Sequence, residues 1–300
     1  MARVTNSDQV RRTLADLQAS HARLARSQDE LSSGKRIQRA EDDPFGTGRA
    51  LFLRNQVGDL TQYQRNVDEA QGWLEANDIS MNNVTSLLQR ARELTVQAAN
   101  GTLDQTGLDG IAAEIRQIRD SVREQMNAKF AGRSIFGGTE TLSDPYPPGP
   151  PYTYAGDDNI IQRAIGDGQQ IDLNVRGWEA FSVPGTNAGT NILTMLTTLE
   201  TDLQAGNKAA IGNADLTALD GHLDQLNDAR AKVGARSNRL ETQSAQLQDM
   251  ELNVKDILSK TEDVDMAKAM VDFSMHQAVY ESALRSAARV LQPTLLDFLG

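Results

Sequence analysis

The strongest constraint in this sequence is a long apolar stripe with no helix breaker inside it. Leu53, Val57, Leu60, Gln64, Val67, Gln71, Leu74, Asp78 and Met81 step by alternating four and three residues, and Val84, Leu88 and Ala91 extend the same face. This is heptad spacing, which keeps one seam of a helix turned toward a partner. No proline falls between residues 45 and 100, so the pattern predicts one helix about 75 Å long at a rise of 1.5 Å per residue. Ordinary globular domains seldom contain such a rod. The fold class expected is mainly α, with long antiparallel rods.

The two ends of the chain carry related stripes. Val10, Leu14, Leu17, Leu24 and Leu31 keep heptad spacing with His21 and Gln28 in the remaining positions, and Ser32-Ser33-Gly34 stops them. Near the other end, Leu216, Leu219, Leu223, Leu226, Val233, Leu240, Leu247 and Val254 mark a second long rod. A last register runs Met266, Met270, Phe273, Gln277, Tyr280, Leu284, Ala287 and Leu291 before Pro293. Ser259-x-x-Glu262 has the form of a capping box for that last helix. The four leucines of the first stripe are worth on the order of 8 kcal/mol if buried, whereas ordering the backbone costs roughly 1–2 kcal/mol per residue. The first helix therefore needs a partner, and the last register is the natural one, giving a coiled coil of both chain ends. Leu295, Leu296 and Phe298 add apolar surface beyond it, and exposed apolar surface usually marks an assembly interface.

Between the rods, Ile111, Ile115, Ile118, Val122 and Met126 predict a third helix running to about Lys129. The texture then changes. Residues 131–190 hold ten of the 23 glycines and six of the eight prolines, which predicts a small β-rich insertion. Tyr152–Tyr154, Asn159–Ile165 and Gln169–Val175 are its expected strands, the last two joined through Gly166-Asp167-Gly168. The prolines from Pro147 to Pro151 form a stiff connector. Helix resumes from about Thr190 to Ala205. Five segments result: an N-terminal assembly helix at 1–40, rod at 41–132, the β-rich region at 133–190, rod at 191–260 and a C-terminal assembly helix at 261–300.

Composition narrows the function. A net charge of −11 and a pI of about 4.8 disfavour a polyanionic partner, because phosphate binding draws on excess Lys and Arg. Residues 1–65 run slightly basic, but Arg11, Arg12, Arg23 and Arg26 lie off the apolar stripe and read as a solvated face. The absence of cysteine excludes disulfides, thiolate zinc sites and thiol catalysis. No segment is long and apolar enough to span a membrane, and MARVTNSDQVRR lacks the apolar core of a cleavable signal peptide.

Chemistry finds no foothold. His21, His222 and His276 fall on heptad helices as exposed residues, and Asp220 and Asp224 point away from His222 at i±2. Ser33-Gly34-Lys35 lacks the first glycine of a phosphate loop, and Gly46-Thr47-Gly48 the third of a dinucleotide fingerprint. The pairs Asp42-Asp43, Asp157-Asp158 and Glu262-Asp263 stand at turns or helix starts, where carboxylates act as caps. No enzyme, cofactor or metal site is expected.

Three motifs carry a resemblance. LSSGKRIQRAEDDPFG from Leu31 to Gly46, Val233-Gly234-Ala235-Arg236 with Asn238-Arg239-Leu240-Glu241, and Glu262-Asp263-Val264-Asp265-Met266-Ala267 resemble the flagellin family, in family order. Arg3-Val4-Thr5, Pro44, the run from Leu60 to Leu74, Ile135-Phe136-Gly137-Gly138-Thr139 and the ending QPTLLDFL resemble its hook-associated members more than flagellin itself. The resemblance implies a secreted structural protein of the bacterial flagellum, at the junction of hook and filament, with a short flagellin as the alternative. It implies a tube whose inner core is the paired terminal helices, with Leu14, Leu17, Leu24 and Leu31 packed on Met270, Phe273, Tyr280, Leu284 and Leu291 within and between subunits. The partners implied are FlgK, flagellin, further copies of the chain and the export chaperone FlgN. Export unfolded through the flagellar channel would explain the missing signal peptide and the missing cysteine.

Overall fold

The computed structural model describes residues 6–100, 103–182 and 191–291. Its helices are α1 (Asn6–Ser33), α2 (Pro44–Ala99), α3 (Gln105–Met126), α4 (Gly177–Phe181), α5 (Ile192–Ala205), α6 (Lys208–Ala210), α7 (Leu216–Glu262) and α8 (Met266–Leu291). A π-helical turn, Ile211–Asp215, leads into α7, and two short hairpins pair β1 (Lys129–Phe130) with β2 (Arg133–Ser134) and β3 (Gln162–Gly166) with β4 (Gln169–Asp172). The chain divides into two compact units, one of residues 1–59 with 251–300 and one of residues 60–250. Both boundaries fall inside long helices, α2 and α7.

The larger unit is a helical bundle. Here α2 buries more than the single stripe read from its sequence, since Ala70, Trp73, Asn77 and Ser80 are buried beside Val67, Leu74, Met81, Val84 and Leu88. The reason is that two partners pack on it. Ser80 and Asn83 reach Gln125 and Arg90 pairs with Glu114, which sets α3 antiparallel on one side. Arg92 with Asp220 and Arg230 with Asp78 set α7 antiparallel on another. Helix α5 closes on α3, where Glu200, almost buried, takes Arg116 at 2.6 Å and Arg119 at 2.5 Å.

The seam of α7 corrects one register. Its apolar seam is buried at Leu219, Leu226, Ala229, Val233, Leu240, Leu247 and Val254, with His222 among them and Asp215 of the preceding π-helical turn continuing the same face, whereas Leu216 and Leu223 are only half-buried. Asp215 and His222 thus occupy heptad positions that their apolar neighbours were expected to fill. His222 is 1% exposed, against the expectation of three exposed histidines. His21 is exposed and His276 half-buried.

The glycine-rich stretch lies in this same unit. Of its expected strands, the second and third form β3 and β4, while Tyr152–Tyr154 is irregular. Tyr152 has φ +48° and stacks under the Arg119 guanidinium at 5.6 Å, so its ring is used for packing and its backbone cannot join a ladder. The β1–β2 hairpin went unread because each strand has two residues, too few for alternation to show. Phe136 and Phe181 meet edge-on at 4.8 Å, with Tyr146 and Tyr154 beside them. Gly177 opens that cluster, because a Cβ there would stand 2.7 Å from Tyr154 Cε2 and 3.0 Å from Phe136 O. The hairpin β3–β4 lies along the helices, held by Asn66 to Ala164 O and Arg239 to Gln170 O.

The smaller unit pairs α1 with α8. Their approach is antiparallel, since His21 meets Tyr280 at 5.5 Å while the Lys35 end of α1 bridges to Asp263 at the head of α8.

Candidate assembly surface

The seam between α1 and α8 differs from the expected one by a single residue at every second step. On α1 the covered positions are Thr13, Leu17, Ser20, Leu24, Ser27 and Leu31, with Ser20 and Ser27 each 6% exposed. On α8 they are Ala269, Phe273, His276, Tyr280, Ala283 and Ala287. Both sets keep heptad spacing. Of the residues expected to pack, Leu17, Leu24, Leu31, Phe273 and Tyr280 do face the seam. Leu14, Met270 and Leu284 do not, at 54, 62 and 42% exposed. Small side chains at alternate positions let the helices sit close, and the larger neighbours are pushed to the edge. The side chain of Leu291, together with Leu295, Leu296, Phe298, Arg3-Val4-Thr5 and the ending QPTLLDFL, lies outside the described residues.

What the pair leaves uncovered is extensive. An apolar groove of about 300 Å³ runs between Val10, Thr13, Leu14 and Leu17 on α1 and Leu284, Ala287 and Ala288 on α8. Met266, Val271, Met275 and Val279 are further exposed on α8. Helix α8 thus carries apolar surface that α1 does not cover.

Below the seam, two of the sequence motifs meet. Gly34, at φ +69°, ends α1, and its carbonyl accepts from the Val264 amide at 3.0 Å. The Arg36 amide donates to Glu262 O at 2.7 Å, and the Arg36 guanidinium donates to Thr261 O at 2.9 Å. The Glu262 carboxylate, 6% exposed, pairs with Lys35 at 2.8 Å and with Arg54. Ser259 is therefore not the cap of α8. It lies inside α7 and its hydroxyl donates to Asp263 at 2.6 Å, while Asp265 caps α8 by accepting from the amides of Ala267 and Lys268. The expectation failed because α7 runs on to Glu262, placing that carboxylate at a helix C-terminus where only its cations offset the dipole.

Of the two acidic residues before Pro44, Asp43 caps α2, while Asp42 closes the turn that precedes it. Asp42 accepts from the amides of Arg39 and Gln38, the Arg39 bond doing most to hold its carboxyl below the usual range. Asp43 accepts from Gly46 N at 2.9 Å, and Pro44 follows at the first helical position, where its missing N–H costs nothing. Gly46 fits closely here, because a Cβ there would run into the Asp43 carboxylate and lie 2.5 Å from Ile37 Cδ1. In the larger unit the Ile135–Thr139 motif closes on Asp157. Burial would raise that carboxyl, but donors on Thr139 and Asn159 outweigh it and bring it down to about 2.

Sequence reading missed Glu262 as the centre of this clasp, since its partners lie more than 200 residues away. The only signal was charge, Lys35-Arg36 against Glu262-Asp263. Among the described residues no group of three or more His, Asp or Glu could hold a metal ion, and no helix is long and apolar enough to cross a membrane.

The comparisons with known proteins agree with the motifs. The chain is 29% identical to a flagellin of Bacillus subtilis over 290 residues, covering 93% of each. It is 24% identical to flagellar hook-associated protein 3 of Salmonella typhimurium over 302 aligned positions, covering 95% of each. The crystal structure of Bacillus cereus FlgL shares its fold, with a TM-score of 0.60 at 24% identity over 69% of this chain and 99% of that one. Residues 5–141 match the bacterial flagellin N-terminal helical region and residues 216–299 the bacterial flagellin C-terminal helical region; the chain belongs to the bacterial flagellin family.

Proposed function

We propose that this chain is the structural protein that joins the flagellar hook to the filament. The observation that supports it best is the end-to-end likeness to a hook-associated protein of nearly equal length. Two features singled out as hook-associated also have structural uses here, Pro44 at the start of α2 and the Ile135–Thr139 turn on Asp157.

In this reading the segments 1–40 and 261–300 enter the wall of the tube. Leu17, Leu24, Leu31, Phe273 and Tyr280 hold the two helices of one copy together. Leu14, Met270 and Leu284, with Leu291, Leu295, Leu296 and Phe298, contact neighbouring copies. FlgK stands on the hook side, flagellin on the filament side, and FlgN holds the C-terminal helix before the chain is exported unfolded to the cell exterior. A second reading, a short flagellin forming the filament itself, is favoured by the identity to the Bacillus subtilis protein.

A clean deletion separates the two. Electron microscopy and a blot of the medium should show hooks without filaments and flagellin lost to the medium. Loss of filaments with no flagellin anywhere would make this chain the flagellin, and normal flagella would refute both. The contact residues are tested by Leu284→Asp, which should abolish assembly and leave the free chain folded by circular dichroism. Unchanged assembly would remove Leu284 from the interface.

A further inference from the structure

The smaller unit carries another apolar surface, away from the seam. At the start of α2, Phe45 is 92% exposed, Leu51 57% and Phe52 65%. Ala50 and Leu53 are buried on the opposite side of the helix, and Arg54 turns to Glu262. Phe45 and Phe52 stand two turns apart, so both rings leave the helix on one side. Gly48 lies between them, and a Cβ there would meet nothing within 4 Å. The three side chains leave roughly 400 Å² of apolar surface in water, at about 150–250 Å² per aromatic ring, the size at which a patch marks an interaction site. On α8, Val271, Met275 and Val279 follow at four-residue steps and are 67, 53 and 46% exposed. Val271 lies opposite the seam of Ala269, Phe273, Tyr280 and Ala287, and Met275 and Val279 step from there toward its flank.

We propose that the Phe45–Leu51–Phe52 patch of one copy docks on the Val271–Met275–Val279 stripe of the next, a contact that rests on the flagellar-assembly reading. Three arguments choose a second copy as the occupant. Both surfaces belong to the same compact unit and both remain exposed, so one chain does not cover one with the other. Their chemistries are complementary: a thioether packs well against ring edges, and the notch at Gly48 leaves room for a side chain between the two rings. The surfaces also differ from one another, so joining them is head-to-tail, and a repeated head-to-tail contact closes a ring or extends a helix. Together they bury roughly 700 Å², short of the about 1,200 Å² of an independent stable interface. The contact therefore forms within an assembly and does not dimerise the free chain.

The absence of cysteine makes the test direct. The full chain carrying both Phe52→Cys and Met275→Cys is expressed in a strain lacking its own copy, and purified flagella are treated with a short bis-maleimide. A ladder of covalent multimers is expected, at least ten times the yield from either single variant. Leu51→Cys with Val279→Cys should repeat it if the first pair perturbs the chain. Dimer from Phe52→Cys alone at the yield of the double variant would overturn the head-to-tail arrangement. Chain present in flagella without a ladder from either pair overturns the contact and leaves the assembly reading standing, whereas chain absent from flagella overturns both.

Discussion

Glu262→Gln tests whether the clasp between the two terminal motifs is held by charge. The carboxylate is 6% exposed and serves both Lys35 and Arg54, whose side chains are 40 and 48% exposed. Hydrogen bonds to charged groups are worth about 1.5–3 kcal/mol each, but cations this open to water recover part of their hydration when the partner is lost. The net loss should be about 1–3 kcal/mol, concentrated where Arg36 N meets Glu262 O and Val264 N meets Gly34 O. At about 1.4 kcal/mol per tenfold, hydrogen exchange at the Arg36 and Val264 amides should accelerate by about 5- to 150-fold. The control is Glu41→Gln, whose pair with Arg39 is more than 70% exposed on both sides and should contribute nothing measurable. Arg36 and Val264 exchanging within twofold of the parent in a folded Glu262→Gln chain would refute the reasoning, as would an equal acceleration from Glu41→Gln.

Other outcomes follow from named contacts. Burial holds His222 down at about 4, below its ordinary 6.5, so its contribution to stability is present above pH 6.5 and lost as pH falls toward 4, up to about 3 kcal/mol. Asp215 runs the other way: burial first and Asp202 second raise it to about 6, so its contribution is full below pH 3.8 and lost as pH rises through 6. Urea midpoints should thus show Asp215→Asn more stable than the parent at pH 7 and more acid-sensitive, and His222→Leu less acid-sensitive; unchanged pH profiles would contradict both. Gly46→Ala should cost about 1–2 kcal/mol through the clash with Asp43 and Ile37, while Gly58→Ala, whose Cβ meets nothing within 4 Å, should gain up to about 1 kcal/mol of helix propensity. Gly177→Ala should lower the thermal midpoint and loosen the Phe136–Phe181–Tyr154 cluster, seen as altered near-ultraviolet circular dichroism.

The long helices were legible because each repeats its apolar period many times without proline, and Gly34 and the Asp43-Pro44 cap punctuate them with strong local signals. The clasp was half legible: LSSGKRIQRAEDDPFG and Glu262–Ala267 stand out as motifs, but nothing local says that Glu262 and Lys35 meet. The strand expected at Tyr152–Tyr154 failed because alternating aromatics can serve a cluster as well as a sheet, and Tyr146 and Tyr154 pack on one another at 5.5 Å. Asp215 and His222 were invisible as core residues, since an apolar neighbour one position along competes for the same stripe in each case.

That competition follows one rule across three helices. Sequence periodicity assigns the seam to the larger apolar residue, Leu14, Met270, Leu284 or Leu223, while the fold covers its neighbour more, burying Ala269 and His222 and half-burying Thr13 and Ala283. In α7 the displaced leucines remain half-buried, because the bundle of the larger unit surrounds the helix. Among the described residues α1 and α8 pack on one another, and Leu14, Met270 and Leu284 are left exposed beside Met275 and Val279. Small seam residues bring two helices together without covering the large ones, and the large ones then cost stability until something else covers them. In a chain of the bacterial flagellin family, these exposed residues of α1 and α8 are the ones that the proposed contacts with neighbouring copies would cover.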